Sequence, residues 1–213
     1  MVEPKFFETI APFYDFLTRV FMMGTYDSVR RRMLNEDTSR LSILDLCCGT
    51  GYICNTIEAE RIVGLDMSDR MLARNARVKR PNKGLIKGNA YNMPFTAAEF
   101  DRIYCSSASH EFKLFAKILN KCNQILKPDG CFILFDIYQP KNPVLSAIMN
   151  TFVRRVVERN IMWVHTREDW RRMLTEAGFV VEELDIIRGF YIYIRARKAA
   201  DENVMATQNT GKL

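Results

Sequence analysis

The sequence lacks the features that define several large classes of protein. No apolar run is long enough to span a bilayer, and residues 1–5 do not resemble a signal peptide. The six cysteines follow neither the spacing of a zinc site nor that of a disulfide framework. We therefore expect a cytoplasmic protein with free, mostly buried thiols and without a bound metal.

Long blocks of one charge are also missing, although the net charge is +6. The arginine clusters at residues 30–32, 154–155 and 171–172 fall on separate predicted helices, and acidic residues lie among them. This pattern is typical of solvated helix faces rather than of a nucleic-acid site. Peripheral membrane contact and formation of a homodimer are both compatible with such helix faces.

Strand and helix patterns alternate along the 213 residues, which is enough for one α/β domain. Strands are predicted at residues 41–46, 61–66, 84–89, 100–106, 131–137, 179–187 and 190–197. Helices are predicted at residues 25–34, 52–60, 71–78, 111–126, 142–158 and 166–177. The alternation predicts a mostly parallel sheet with helices on both faces, and the turn at Arg188 and Gly189 predicts an antiparallel C-terminal hairpin.

A single domain is expected over residues 1–198. Residues 1–40 contain two short apolar helices, which we interpret as a flap over the sheet, and residues 41–198 form the core. Residues 199–213 are polar and have no periodicity, so we expect a disordered tail.

The segment that ends the first strand is the most informative part of the chain. An apolar run leads to Asp45, and Gly49 and Gly51 follow in a small-residue turn before the next helix. Glycine permits a tight turn whose main-chain N–H groups can point at a ligand. A dinucleotide dehydrogenase would have a third glycine where Cys54 stands, so the pattern disfavours that class.

Polar or small residues also end the next three predicted strands. Asp66 ends the second strand, 21 positions after Asp45, while Asn89 ends the third and Ser106 the fourth. An acid at about this spacing can bind both hydroxyl groups of a ribose. Because the carboxyl ends of parallel strands meet at one edge, these residues predict a site for a nucleotide-like ligand there.

Four segments of the chain carry a resemblance to a known family. They read IAPFYD at 10–15, LDLCCGTG at 44–51, GNAYNMPF at 88–95 and LKPDG at 126–130. With them the sequence resembles the class I S-adenosylmethionine-dependent methyltransferases, and most closely the ubiquinone/menaquinone-biosynthesis C-methyltransferase-like family (methyltransferase type 11). The resemblance implies a seven-stranded Rossmann-like methyltransferase fold, S-adenosylmethionine as cofactor, and a small hydrophobic or aromatic acceptor of quinone-like or lipid-like character.

The resemblance also implies which residues bind the cofactor around the glycine turn. Asp45 and the backbone at Gly49 and Gly51 are expected to hold the methionine part of S-adenosylmethionine. Asp66 is expected to bind the ribose hydroxyls. Cys47 belongs to the same site and stands where many superfamily members have glycine.

Further cofactor contacts follow from the same resemblance. Met67 is expected to pack on the adenine, and Asn89 and Ala90 to meet its ring. Asn89 replaces the more usual aspartate, but an amide oxygen still accepts a hydrogen bond from the exocyclic amine. Ser106 is expected to close the site near the sulfonium. Tyr14 in the flap is assigned both to this site and as a candidate catalytic residue.

His110 is the candidate base of the core. It follows the fourth strand, and a histidine with the ordinary pKa of about 6.5 can remove a proton from an acceptor. Alternatively, His110 lies beside a helix N-terminus without a chemical role, where Glu111 complements the helix dipole. The quinone-modifying relatives have an arginine and an asparagine in this region, so the resemblance does not fix the acceptor.

Other functions stay open beside methyl transfer to such an acceptor. Phe112, Tyr138 and apolar residues within 144–163 fit an apolar acceptor wall, while a phospholipid or amine N-methyltransferase fits the neighbouring arginines. An RNA methyltransferase is disfavoured, since the chain has no Pro-Cys pair and no Asn/Asp-Pro-Pro-aromatic motif. A sensor of S-adenosylmethionine, or a partner subunit without activity, is the non-enzymatic alternative.

Overall fold

The computed structural model describes residues 25–148, residue 151 and residues 162–200. Its strands are β1 (Ser42–Leu46), β2 (Arg61–Asp66), β3 (Lys83–Lys87), β4 (Phe100–Ser106), β5 (Leu126–Ile137), β6 (Phe179–Ile187) and β7 (Tyr191–Lys198). They form one sheet in the order β3-β2-β1-β4-β5-β7-β6. Strands β1 to β5 pair in parallel, and β7 is antiparallel to both β5 and β6. The predicted mixed sheet is confirmed.

Helices accompany the strands in the described part of the chain, and some of them begin at a side-chain cap. They are α1 (Thr25–Met33), α2 (Tyr52–Thr56), α3 (Asp69–Asn75), α4 (Phe115–Ile125), α5 (Pro143–Ile148) and α6 (Arg167–Glu176). The Ser68 hydroxyl accepts a hydrogen bond from the Met71 N–H at the start of α3. Thr166 and Asp169 form a reciprocal capping box at the start of α6. Both caps satisfy backbone donors that a helix cannot pair internally.

Apolar side chains cover the sheet on both faces. On one face, Phe115 of α4 packs edge-on against Trp170 of α6, with ring centroids 5.6 Å apart. On the other face, Met33 of α1 and Ile53 of α2 pack in the same cluster as Tyr104 of β4. Burial on both faces explains why β1 and the second half of β5 are nearly continuous apolar runs rather than alternating ones.

The C-terminal hairpin turns through two residues with left-handed backbone. Arg188 has a φ of 51° and Gly189 a φ of 75°, and together with Phe190 they form the loop between the paired residues Ile187 and Tyr191. Strand β7 enters the sheet beside β5 as a result. Within the described residues, no helix has both the length and the apolar character needed to cross a bilayer.

Several predicted element ends are wrong by a turn or more. Helix α2 stops at Thr56 rather than at residue 60, because Ile57 is already extended with a ψ of 140°. The helix predicted from residue 111 begins at Phe115, after a separate 3₁₀ turn at Ser109–Glu111. Strand β5 begins at Leu126, so it includes the Pro-Asp-Gly segment that precedes the strand predicted from residue 131.

Some predictions fall outside the described residues. The flap helix before residue 25, most of the predicted helix 142–158 and the tail from residue 201 belong to this group. The division of residues 1–198 into a flap and a core therefore stays a prediction.

Candidate active site

The predicted site residues gather where the parallel strands end. Strands β2 and β3 lie on one side of β1, and β4 and β5 lie on the other side. The direction in which successive strands are added therefore reverses between β1 and β4. Open α/β sheets bind ligands at the carboxyl edge of such a switch point. Asp45, Asp66 and Ser106 all lie at this edge of the described chain.

The turn after β1 has a left-handed backbone at Cys47, Gly49 and Gly51, with φ of 58°, 50° and 90°. The Cys48 N–H donates to the Leu65 carbonyl at 3.0 Å, which ties the turn to β2. A Cβ added to Gly49 would meet nothing within 4 Å. The backbone at Gly49 is therefore open to the close approach of a ligand.

Two carboxylates hold this turn. Asp45 is 2% exposed, and its Oδ2 accepts a hydrogen bond from the Cys54 N–H at 3.1 Å. Asp66 accepts from the Gly49 N–H at 2.8 Å and from the Ser68 N–H at 2.9 Å, one at each oxygen. A carboxylate oxygen has two acceptor positions. Asp66 can therefore accept from ribose hydroxyls in addition to its backbone contacts.

Carboxylates act on the Cys47 thiol of the turn. Burial raises the pKa of the Cys47 thiol well above its ordinary value, and the carboxylates of Asp66, Glu111 and Asp45 raise it further. The thiol is therefore neutral and not a nucleophile. Three carboxylates around one turn favour a cationic ligand, and S-adenosylmethionine carries positive charge on its sulfonium and amino groups.

Two residues that pack against the turn, Asn75 and Lys83, are not identified by sequence patterns. A Cβ on Gly51 would lie 2.2 Å from Cγ of the fully buried Asn75. Asn75 Nδ2 donates to Cys48 Sγ at 3.4 Å, and Lys83 Nζ donates to Asn75 Oδ1 at 3.1 Å. The contacts join α3 and β3 to the turn. A lone asparagine and a lysine have no motif that would reveal such contacts.

The residues expected to meet the adenine follow β2 and β3, which are neighbours in the sheet. Met67 is half-buried directly after Asp66. The Asn89 side-chain oxygen accepts from the Tyr91 N–H at 2.9 Å and so caps a 3₁₀ turn, and Ala90 is 2% exposed. Their contact with adenine stays a prediction.

Two buried hydroxyl groups stand at the end of β4. Neither Ser106 Oγ nor Ser107 Oγ has a hydrogen-bond partner among the described residues. The Ser107 N–H donates to the Phe135 carbonyl at 2.7 Å, and its φ is 56°. Because a buried polar group without a partner is costly, both hydroxyls are suited to hydrogen-bond a ligand at this edge.

His110 lies in the short 3₁₀ turn that follows β4 and is 7% exposed. Its Nδ1 lies 2.5 Å from Oδ1 of Asp136, a residue near the end of β5 that is fully buried. Sequence patterns do not reveal Asp136 as a partner of His110, because it is a single acid within an apolar strand. The structure brings the two together across 26 positions of the chain.

The segment 162–166 covers the backbone of His110. The Trp163 N–H donates to the His110 carbonyl at 2.7 Å. Met162 is 2% exposed, and Tyr138, which follows β5, is 6% exposed. Apolar groups and an aromatic ring are therefore buried in the segments that continue from Asp136 and adjoin His110.

Other members of the predicted acceptor wall lie elsewhere. Phe112 packs into the core against Tyr91 and Phe115, with ring centroids 5.5 and 6.2 Å away, and Val144 is 66% exposed. Tyr14 and most of the predicted helix 142–158 lie outside the described residues. The role of Tyr14 stays a prediction.

Comparisons with known proteins identify methyltransferases as relatives of this chain. A family model described as a methyltransferase domain matches residues 44–134. An uncharacterised methyltransferase of Synechocystis sp. is 32% identical over 157 residues, which are 69% of this chain and 70% of that protein. A demethylmenaquinone methyltransferase of Chlorobaculum parvum is 28% identical over 162 residues, 72% of this chain and 67% of that protein.

The fold has close counterparts among solved structures. An S-adenosylmethionine-dependent methyltransferase of Mesorhizobium loti superimposes with a TM-score of 0.67 over 79% of this chain and 95% of that one. Its sequence identity is 21%, so this likeness concerns the fold alone.

Proposed function

Since the chain belongs to the methyltransferase domain family and is an S-adenosylmethionine-dependent methyltransferase, we propose that its acceptor is a small hydrophobic or aromatic molecule of quinol-like character. When bound, S-adenosylmethionine supplies an activated methyl group. The protein then has three tasks, which are to align the acceptor with that group, to exclude water and to remove a proton.

The residues at the glycine turn fit the methyl donor. No protein atom lies within 4 Å of a Cβ added to Gly49, which leaves room beside the backbone, and the Asp66 carboxylate is of the type that accepts hydrogen bonds from ribose hydroxyls. The neighbouring carboxylates attract a cationic molecule. They attract the demethylated product less, because it has lost the sulfonium charge, and this difference favours release of the product.

One observation carries the proposed acceptor chemistry, namely the burial of His110 at the carboxyl end of β4. A buried histidine at this edge lies on the same side of the sheet as the cofactor turn. We assign it the role of general base, which acts on a proton of the acceptor. Tyr14 remains a second candidate from the flap.

Apolar surroundings support a hydrophobic acceptor. Tyr138 and Met162 provide a buried ring and a flexible thioether side chain in the segments next to His110. The relative from Chlorobaculum parvum is a demethylmenaquinone methyltransferase, which supports a quinol-like molecule. A small-molecule partner and a cytoplasmic location both belong to this proposal.

The decisive experiment measures where a labelled methyl group goes. The protein is incubated with S-adenosylmethionine carrying a labelled methyl group, together with separate lipid, small-metabolite and RNA fractions of a cell extract. We expect label in a quinol or another hydroxylated aromatic molecule, identified by mass spectrometry. The variant His110→Gln should bind S-adenosylhomocysteine as the wild type does and lose turnover by on the order of 100-fold.

The other functions predict different results in the same experiment. Label confined to phosphatidylethanolamine or another amine would replace the quinol-like acceptor with an amine. Label confined to RNA would overturn the small-molecule acceptor altogether. Full turnover by His110→Gln would remove the base, while binding without any turnover in any fraction would favour a sensor or a partner subunit.

A further inference from the structure

We propose that Asp136 is a positioning residue, which holds His110 with its proton on Nδ1 so that Nε2 removes a proton from the hydroxyl group of a phenol-like or quinol-like acceptor. This inference rests on the proposed function, because it concerns the same base. It adds a residue that no sequence motif reveals, and it narrows the acceptor to molecules with an ionisable hydroxyl group.

The contacts of Asp136 form the densest hydrogen-bond cluster of this edge. Its Oδ2 accepts from the N–H groups of Ala108 at 3.1 Å, Ser109 at 2.5 Å and His110 at 3.4 Å, and from the Ser109 hydroxyl. Its Oδ1 accepts from the Ile137 N–H at 2.6 Å and faces His110 Nδ1 at 2.5 Å. The backbone of the His110 turn is therefore wrapped around one carboxylate.

This environment keeps Asp136 ionised. Complete burial alone would raise the pKa of its carboxyl group, but the positive charge that His110 carries when protonated and the hydrogen bonds from His110, Ser109 and Ile137 more than compensate, so the pKa lies below its ordinary value. A buried carboxylate is tolerated when it is paired and fully hydrogen-bonded. The geometry gives this one six donors, counting Nδ1.

An ionised carboxylate fixes the tautomer of the histidine. A carboxylate can only accept hydrogen bonds, so the ring nitrogen at 2.5 Å must carry the proton. In a neutral imidazole the other nitrogen, Nε2, is then the proton acceptor. The Trp163 N–H donates to the His110 carbonyl at 2.7 Å, and this contact restrains the backbone that carries the ring.

The other ionisable groups near this pair do not replace Asp136. Burial raises the pKa of Cys105, so this thiol is neutral. Burial lowers the pKa of His165, so this ring is neutral at pH 7.5. Asp136 Oδ1 lies 2.5 Å from the Nδ1 atom of the imidazole, so this carboxylate is in direct contact with the ring.

The His110–Asp136 pair suits an acceptor that becomes nucleophilic when its hydroxyl group loses a proton. The acceptor hydroxyl gives its proton to His110 Nε2, and the electron pair of the O–H bond is delocalised through the ring. The nucleophilic carbon or oxygen forms the new bond to the methyl group, while the pair of the carbon–sulfur bond stays on sulfur. The imidazolium that forms is stabilised by the Asp136 carboxylate.

The tautomer can be observed directly, without turnover. The chain contains two histidines, so ¹⁵N-histidine labelling of the full chain gives two pairs of imidazole nitrogen signals, one pair for each ring, and His165→Phe assigns them. We expect His110 at pH 7.5 in the presence of S-adenosylhomocysteine to show a protonated Nδ1 and an unprotonated Nε2. A protonated Nε2, as the other tautomer or as imidazolium, would overturn the inference even if every variant failed to fold.

Asp136→Asn provides the complementary test. Four donors converge on the Oδ2 position and one backbone donor on Oδ1, so the asparagine oxygen should occupy the Oδ2 position. Its amide NH₂ then faces His110 Nδ1 and forces the proton to Nε2. The variant should retain affinity for S-adenosylhomocysteine by calorimetry and lose kcat by on the order of 100-fold with a menadiol (2-methyl-1,4-naphthoquinol) probe.

The control is Asp101→Asn, which alters another strand carboxylate that accepts from a backbone N–H and a lysine. It should change neither the His110 signals nor kcat. Wild-type kcat in Asp136→Asn would show that the cluster serves only to fold the turn. An Nδ1-protonated His110 together with methylation of phosphatidylethanolamine alone would refute the hydroxyl acceptor and the proposed function but not the positioning.

Discussion

Asp66 holds the glycine turn, and we propose that it also binds the ribose of the cofactor. In the wild type, the two carboxylate oxygens of Asp66 accept from the Gly49 and Ser68 N–H groups. An Asp66→Asn change removes the negative charge and one of these two acceptor oxygens. A lost charge-assisted hydrogen bond costs about 1.5–3 kcal/mol, so we expect affinity for S-adenosylmethionine to fall roughly 10- to 100-fold. Isothermal titration calorimetry measures this directly.

Asp69 offers a matched control for that measurement. It is an exposed acid in the first turn of α3 and pairs with Lys87, so Asp69→Asn should leave the affinity unchanged. Wild-type affinity in Asp66→Asn would mean that Asp66 serves the turn alone and that another group binds the ribose.

His165 should make the stability of the fold depend on pH. Burial is the main reason why its pKa lies below the ordinary 6.5, so the folded state favours the neutral ring. The stabilisation from this preference is complete above pH 6.5 and is lost as the pH falls through the lower pKa of the folded state. We expect the Tm measured by calorimetry to decrease between pH 7.5 and pH 5.5.

The variant His165→Phe isolates this contribution. Phenylalanine keeps an aromatic ring against Trp170, whose centroid lies 5.5 Å away, and His165 Nε2 has no hydrogen-bond partner to lose among the described residues. The decrease in Tm should therefore become shallower in the variant. An equally steep decrease would show that His165 does not titrate in this range.

At the scale of single residues, the sequence predicts the acids that stand at strand ends and little else of the site. Asp45 and Asp66 can be found because a buried strand precedes each and a turn follows. Asp136 is a single acid within an apolar strand, and nothing in the sequence distinguishes it from a buried acid without a role. Its partner His110 lies 26 positions away in the chain. Pairing across strands is a product of the fold, so a single sequence does not contain it.

At the scale of elements, the two glycines of the turn should fail in different ways. Gly51→Ala places a Cβ against the buried Asn75 side chain at 2.2 Å, which Lys83 holds in place. Overpacking and a left-handed alanine together should cost about 2–4 kcal/mol of unfolding free energy. Urea denaturation measures this loss.

Gly49→Ala should mainly affect the cofactor. Its φ of 50° costs an alanine about 1–2 kcal/mol, but the added Cβ meets no protein atom within 4 Å. That Cβ projects into the space through which a ligand approaches the backbone, so we expect calorimetry to show reduced affinity for S-adenosylhomocysteine. Unchanged affinity would place the cofactor on another side of the turn.

Strands were easier to predict from the sequence than helix ends. Residues 61–66, 100–106 and 179–187 match β2, β4 and β6 to the residue. In β2 burial leaves an apolar run between the polar ends Arg61 and Asp66, and β6 is bounded by Gly178 and the Arg188-Gly189 turn. Helix α2 ends early although its apolar pattern continues, since the chain must turn back towards β2. Tertiary packing sets that end, and periodicity alone does not report it.

At the scale of the whole molecule, Glu36 joins three parts of the chain that are distant in sequence. It lies after α1 and accepts hydrogen bonds from Arg102 of β4 and from Arg195 of β7, the latter at 2.9 Å. The three side chains are 23%, 16% and 22% exposed. Burial would raise the pKa of Glu36, but the two arginines hold it below its ordinary value, so the carboxylate is charged at neutral pH.

The variant Glu36→Gln leaves two half-buried arginines side by side without their shared partner. Breaking such a network leaves charge uncompensated, and we expect the free energy of unfolding in urea to fall by about 1–3 kcal/mol. The control Lys141→Ala breaks an exposed pair with Glu168 and should change it by less than about 0.5 kcal/mol. If both variants unfold at the wild-type urea concentration, the segment after α1 is held by the apolar contacts of Val29 and Met33 rather than by charge.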